Sequence, residues 1–150
     1  MKLVLGYTVS NPSKKALALV QKYAKLFKAD VHILTSLSAE DAPPNFSPWQ
    51  TTDEAVRLRN LGEEYGIAHK AKSSLESAQK ALAKEGISSE IHLLIRGLEP
   101  GEDIVNFAKE IEADFIVVGI GRTSRVGKMF FGSNAQYVIL EASCPVITVK

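Results

Sequence analysis

The sequence predicts a doubly wound α/β fold, in which a five-stranded parallel sheet carries helices on both faces. Short apolar runs alternate with amphipathic helical patterns in the order βαβαβαβαβ. The fourth run, Phe115–Val118, is apolar throughout, which is typical of a strand buried on both faces of a parallel sheet. A length of 150 residues fits one domain, so we expect a single domain over residues 1–150.

Each strand is predicted from a short apolar run bounded by turn-forming residues. The runs are Leu3–Tyr7, Val31–Leu37, Ile91–Ile95, Phe115–Val118 and Val146–Val149. Helices are predicted over residues 12–28 with Asn11 as N-cap, over 53–85, from Pro100 onward, and over Ser133–Ala142. The pattern leaves open whether 53–85 forms one helix or two, and we expect a bend near Gly62 or Gly66. Three prolines within residues 38–50 predict a loop.

Composition excludes several classes of protein. With 18 basic and 17 acidic residues, the chain has no overall charge that would attract nucleic acid or an anionic membrane. A single cysteine, Cys144, excludes an internal disulfide framework and a cysteine-based zinc site. No apolar run approaches the roughly 20 residues that span a bilayer, and the first run reaches Gly6 too soon for a signal peptide. We therefore expect a cytoplasmic protein that binds neither nucleic acid nor membrane.

The segment after the fourth strand, Gly119–Ser133, is the strongest candidate for a ligand site. It contains four glycines and three basic residues (Arg122, Arg125 and Lys128) but no acid, and it ends where a helix is predicted to begin. Free N–H groups at a helix N-terminus favour an anion such as phosphate. A surface turn in which Ser133 only caps the helix remains open as an alternative. The P-loop motif is absent, because Arg122 and Met129 stand at positions that it requires to be glycine and serine or threonine.

Gly119, Gly132 and Ser133 match a Gly-x2-Gly-x9-Gly-[Ser/Thr] pattern except at its middle glycine, and Cys144-Pro145-Val146 follows near the end of the chain. With these motifs the sequence resembles the universal stress protein family over nearly its whole length. The resemblance implies the strand order 3-2-1-4-5, a homodimer, and a loop that holds the phosphates and ribose of ATP. It also implies that the main chain near Ser36 faces adenine. The expected nucleotide-binding residues are Thr8, Val9, Ser10, Ser36, Gly119, Ile120, Gly121, Arg122, Gly132, Ser133 and Asn134.

Two departures from the family pattern keep more than one function open. Arg122 replaces the middle glycine of the motif, and Thr8 stands where the family has an acid. The leading hypothesis is a regulatory module that binds ATP or AMP, with Mg²⁺ or Mn²⁺ present only together with the nucleotide. The alternative is a dimeric stress-response protein that interacts with partners and binds no nucleotide. Weak ATP hydrolysis is the third hypothesis, and no catalytic residue is proposed.

The histidines, the cysteine and the last strand are interpreted as structural features and not as ligand sites. His32 and His92 fall in different strands and His69 falls on the long helix, so we expect strand-face and solvent-facing roles and no metal site. Cys144 is interpreted as a small buried hydrophobic residue. The implied strand order places the last strand at a sheet edge, where Val146, Ile147 and Val149 predict a two-fold dimer contact.

Overall fold

The computed structural model describes residues 1–8, 10–37, 66–121 and 132–150. The strands in these ranges are β1 (Lys2–Gly6), β2 (Asp30–Ser36), β3 (Ser89–Leu94), β4 (Phe115–Gly119) and β5 (Val146–Val149). The helices are α1 (Asn11–Phe27), α2 (Gly66–Lys84), α3 (Pro100–Glu110) and α4 (Ser133–Glu141). None of these helices is both long enough and apolar enough to cross a membrane.

The five strands form one parallel sheet in the order β3-β2-β1-β4-β5, as predicted. β1 lies between β2 and β4, so the chain builds the sheet outward in one direction and then returns to build it in the other. Crevices that bind ligands in open α/β sheets form at this reversal, outside the carboxyl ends of the strands. The fold therefore directs attention to the segments that follow β1, β2 and β4.

Alternate residues of the strands build two separate cores. Leu3, Leu5 and Ile33 face α1 and α2, and they pack with buried residues of α2, of which Leu75 is one. On the opposite face, Val4, Leu34, Leu94 and Ile116 pack against α3 and α4, where Phe107 and Val138 are buried. Burial on both faces explains why the central strands are continuously apolar.

The start of α1 differs by one residue from the prediction. The N-cap is Ser10, not Asn11, and the Ser10 side chain accepts a hydrogen bond from the backbone N–H of Ser13. A hydroxyl three residues ahead of that N–H satisfies one of the free donors of the first turn. Pro12 remains in the first turn, where its missing N–H costs nothing.

The predicted helix over 53–85 lies only partly within the described residues. α2 begins at Gly66, which has φ +40°, a conformation that favours glycine. The predicted buried stripe is confirmed over this part, with Ala68, Ala71 and Leu82 among its members. Residues 53–65, including the proposed bend at Gly62, and the predicted loop over 38–50 lie outside the described residues.

Candidate functional site

A cleft of about 210 Å³ lies at the carboxyl ends of β1, β2 and β4, beside the reversal in strand order. Four of the predicted nucleotide-binding residues line it: Thr8, Ser36, Gly119 and Asn134. Ser13 of α1 and the first turns of α3 and α4 complete the walls. The cleft thus brings these four predicted residues together, whereas Ser10, Ile120, Gly121, Gly132 and Ser133 are not among the described residues that line it.

Thr8 and Ser13, which line the cleft, form a cluster of three mutually hydrogen-bonded hydroxyl groups with the adjacent Ser10. Thr8 Oγ1 lies 3.0 Å from Ser10 Oγ and 3.1 Å from Ser13 Oγ, and the Ser10 and Ser13 oxygens are 3.1 Å apart. The backbone N–H of Thr8 also donates to Ser13 Oγ at 3.2 Å. This hydroxyl cluster occupies the place of the acid that the family pattern has at Thr8. It is neutral, and each hydroxyl can turn its hydrogen toward a ligand.

The start of α4 provides the opposite wall. Gly132 is the N-cap and has no side chain to accept from the first N–H groups of the helix. Among the described residues, none has an atom within 4 Å of a Cβ built at Gly132. The open N-terminus is therefore a place where an anion can approach the backbone of Ser133 and Asn134.

Asn134 also connects α4 to α3. Its side-chain oxygen Oδ1 accepts a hydrogen bond of 2.9 Å from the backbone N–H of Gly101. A Cβ at Gly101 would lie 2.6 Å from the Asn134 carbonyl oxygen, so the two first turns are in direct backbone contact. The predicted phosphate contact of Asn134 would fall to its backbone N–H and its side-chain amide nitrogen, because only these groups can donate a hydrogen bond to an anion.

Gly119 has a packing role that the sequence motif does not reveal. A Cβ at this position would lie 2.5 Å from the carbonyl carbon of Pro12 and 2.6 Å from the backbone nitrogen of Ser13. The end of β4 therefore touches the backbone of the first turn of α1. Ile120, which follows, donates its N–H to Val149 O at 2.7 Å and buries its side chain, so it offers no N–H to a phosphate.

Ser36, the predicted neighbour of adenine, hydrogen-bonds to a buried acid. Its Oγ donates to Asp103 Oδ2 at 2.6 Å. Asp103 is fully buried, and within the described part of the chain its Oδ1 has no hydrogen-bond partner. Burial raises the pKa of Asp103, against the lowering effect of the Ser36 hydrogen bond and the Arg96 charge. Asp103 lies in the first turn of α3, where an acid suits the helix dipole, and its burial cannot be read from that sequence pattern.

The other predicted residues have mixed outcomes. Val9 and Arg122 lie outside the described residues. Gly121 is described, and within the described part of the chain a Cβ there would meet only Pro12 Cγ at 3.7 Å, an ordinary contact. Cys144 is partly buried against the α3 and α4 core, and burial raises the pKa of its thiol.

His32 and His92 lie on a face of the sheet, as expected, but sequence analysis did not foresee that the two side chains are in contact. His32 and His92 lie on adjacent strands, with His32 Nδ1 3.1 Å from His92 Nε2. Both point to the same face of the sheet because β2 and β3 pair in a register that places His32 opposite Glu90 and Leu34 opposite His92. The sequence shows only that each histidine lies within a predicted strand. Whether the two side chains share a face of the sheet depends on the register of β2 against β3, which the sequence does not reveal.

Comparisons with known proteins all indicate one family. The model of the universal stress protein family matches residues 1–150. A universal stress protein of Thermus aquaticus is 31% identical over 152 residues, which cover 99% of this chain and 97% of the relative.

Solved structures of universal stress proteins also resemble this chain. A universal stress protein from Archaeoglobus fulgidus is 34% identical with a TM-score of 0.72, covering 100% of this chain and 93% of that one. A universal stress protein from the same organism in complex with dAMP is 32% identical with a TM-score of 0.68, and the match covers 99% and 96% of the two chains.

Proposed function

The chain belongs to the universal stress protein family, and from that premise we propose that it is a regulatory module that binds an adenine nucleotide, ATP or AMP, in the cleft beside β1 and β4. The observation that carries this proposal is the cleft itself, because it lies at the reversal of strand order and its wall includes the first turn of α4. The related Archaeoglobus fulgidus structure in complex with dAMP supports an adenine nucleotide as the ligand class.

The proposed orientation of the nucleotide follows the chemistry of the two walls. The phosphates lie at the start of α4, where the open N-cap at Gly132 exposes backbone donors and the Ser133 hydroxyl can add one more. Adenine lies against the ends of β1 and β2, near the main chain of Ser36. The hydroxyl cluster of Thr8, Ser10 and Ser13 lies between these two ends of the ligand.

Isothermal titration calorimetry with ATP and with AMP tests the proposal. Ser133→Ala removes a donor to a charged group, which is worth about 1.5–3 kcal/mol, so we expect the affinity to fall at least about tenfold. Gly132→Val, which places a branched side chain on the phosphate path, is expected to abolish binding. Ser77→Ala is the matched control, because the exposed Ser77 hydroxyl bonds only to the Ser73 carbonyl in the described structure of α2. No heat at millimolar nucleotide, or equal affinities for Ser133→Ala and Ser77→Ala, would reject the proposal.

The second candidate is a dimeric interaction protein that works without nucleotide. It is favoured by the hydroxyl cluster, whose oxygens bond to one another in place of the family's acid.

In either case we propose a homodimer through β5, which forms one edge of the sheet and carries Val146, Ile147 and Val149. Sedimentation equilibrium at micromolar concentration tests the dimer: a monomeric mass contradicts it, and a dimeric mass that Ile147→Lys reduces to a monomer supports it.

A further inference from the structure

Three potential metal ligands meet on the α3 face of the sheet, at the β3 edge. They are His32 of β2 and Glu90 and His92 of β3. Glu90 pairs directly with His32 in the strand register. His92 follows Glu90 by two residues in β3, so its side chain points to the same face of the sheet. The arrangement is thus fixed by backbone pairing as well as by side-chain conformation.

The distances among the three ligand atoms suit a small cation. His32 Nδ1 is 3.1 Å from His92 Nε2, and Glu90 Oε2 is 3.7 Å from the first nitrogen and 3.8 Å from the second. A point equidistant from the three atoms lies about 2.1 Å from each, and zinc–nitrogen and zinc–carboxylate bonds measure about 2.0–2.2 Å. The three side chains therefore approach coordination geometry without rearrangement of the backbone.

We propose that His32, Glu90 and His92 bind a divalent transition-metal ion of the zinc type, in a site separate from the nucleotide cleft. Ser36 follows His32 by four positions in β2, which corresponds to about 13 Å along an extended strand. Three protein ligands leave a further coordination position for water or an exogenous ligand.

The surroundings hold the two imidazole rings in place. The Phe107 ring of α3 lies with its centroid 4.5 Å from that of His92 and 6.1 Å from that of His32. Both histidine side chains are largely buried, whereas Glu90 is 72% exposed and can swing between solvent and the ion. Solvent thus reaches the site from the side of Glu90, while the nitrogen ligands stay preorganised.

The ring nitrogens that face each other are the ones that a metal ion needs. One ring now donates a hydrogen bond to the other, and a change of tautomer in the donor ring gives both nitrogens a free lone pair. The neutral ring is the form of histidine that binds a metal ion. Two imidazoles with one carboxylate suit zinc and its first-row neighbours, whereas Mg²⁺ prefers oxygen ligands alone.

Titration of the metal-free protein with Zn²⁺ tests the proposal. We expect one equivalent to bind with a dissociation constant in the micromolar range or below. His92→Gln and Glu90→Gln are each expected to weaken this affinity at least about tenfold, since even the loss of a group that only orients a ligand costs about 10–100-fold. His69→Gln is the matched control, because it removes the third histidine of the chain from α2. Cys144→Ser removes the thiol as a competing ligand, and both controls are expected to bind as the original chain does.

Co²⁺ provides a second readout that does not depend on stability. Its visible absorption is expected to show a four- or five-coordinate site without a thiolate charge-transfer band, and Glu90→Gln is expected to change the spectrum. Circular dichroism of the metal-free variants confirms folding; if His92→Gln fails to fold, the exposed Glu90 position decides. Absence of micromolar zinc binding, equal affinities for His92→Gln and His69→Gln, or indifference to Glu90→Gln would each overturn the three-ligand site.

Discussion

Substituting Gly119 with alanine is expected to destabilise the protein strongly, because the methyl group would collide with backbone atoms. Its Cβ would lie 2.5 Å from the Pro12 carbonyl carbon, 2.6 Å from the Ser13 nitrogen and 2.7 Å from the Pro12 carbonyl oxygen. None of these atoms belongs to a flexible side chain, so α1 or the end of β4 must move. Overpacking costs about 1–3 kcal/mol and occasionally more. Because three backbone atoms are contacted at once, we expect Gly119→Ala to lower the free energy of unfolding by about 3 kcal/mol.

Urea denaturation of the nucleotide-free protein measures this cost. Gly121→Ala is the matched control, since among the described residues its Cβ would meet only Pro12 Cγ, at 3.7 Å, and we expect a change within about 0.5 kcal/mol. A loss of about 3 kcal/mol corresponds to a fall in Tm of roughly 6–12 °C for a domain of this size. If Gly119→Ala and Gly121→Ala unfold at the same urea concentration with equal m values, the backbone contact does not have the role inferred here.

Further predictions follow from single contacts. Asn134→Ala leaves the Gly101 N–H without its acceptor and is expected to cost about 1–3 kcal/mol of unfolding free energy in urea, whereas Asn134→Asp keeps the acceptor and most of the stability. Ser10→Ala removes the cap of α1 and is expected to cost about 1 kcal/mol by the same measurement, and a loss below the experimental error would contradict the cap. The pKa of Asp103 is raised in the folded protein, so its carboxyl contributes stability below its unfolded pKa that is lost as pH rises through the folded pKa. The free energy of unfolding of Asp103→Asn minus that of the unsubstituted chain is therefore expected to increase from pH 4 to pH 7. A difference that does not change with pH would refute the raised pKa of Asp103.

The fold class could be predicted because it depends on patterns that the chain displays locally, whereas the strand order was implied by the resemblance to the universal stress protein family. Apolar runs such as Phe115–Val118 identify buried strands, and the spacing of residues such as Leu75 and Leu82 identifies a helix face. The cap of α1 was misplaced by one residue because Ser10 and Asn11 both have side chains suited to capping. Only the hydrogen bond from the Ser13 N–H distinguishes them.

The features that sequence analysis missed all depend on contacts between distant segments. The pairing of His32 with Glu90 and His92 requires the register of β2 against β3, which a shift of one residue would destroy. The burial of Asp103 requires α3 to be placed over the end of β2. Gly119 looked like a residue reserved for phosphate, yet its closest neighbours are atoms of α1. A motif thus indicates that glycine is needed without indicating which group approaches it.

The electrostatics of the cleft bear on the departure at Thr8. Three helices, α1, α3 and α4, begin at its walls, and each N-terminus carries about half a positive charge. None of the described residues that line the cleft is acidic, and Asp103 lies beneath Ser36 with a pKa raised by burial. A carboxylate at position 8 would cancel part of this positive potential and would attract a cation to accompany the phosphates. With neutral hydroxyls there instead, the helix N-termini favour an anion directly, so Thr8 in place of an acid is compatible with the phosphate contact that we propose.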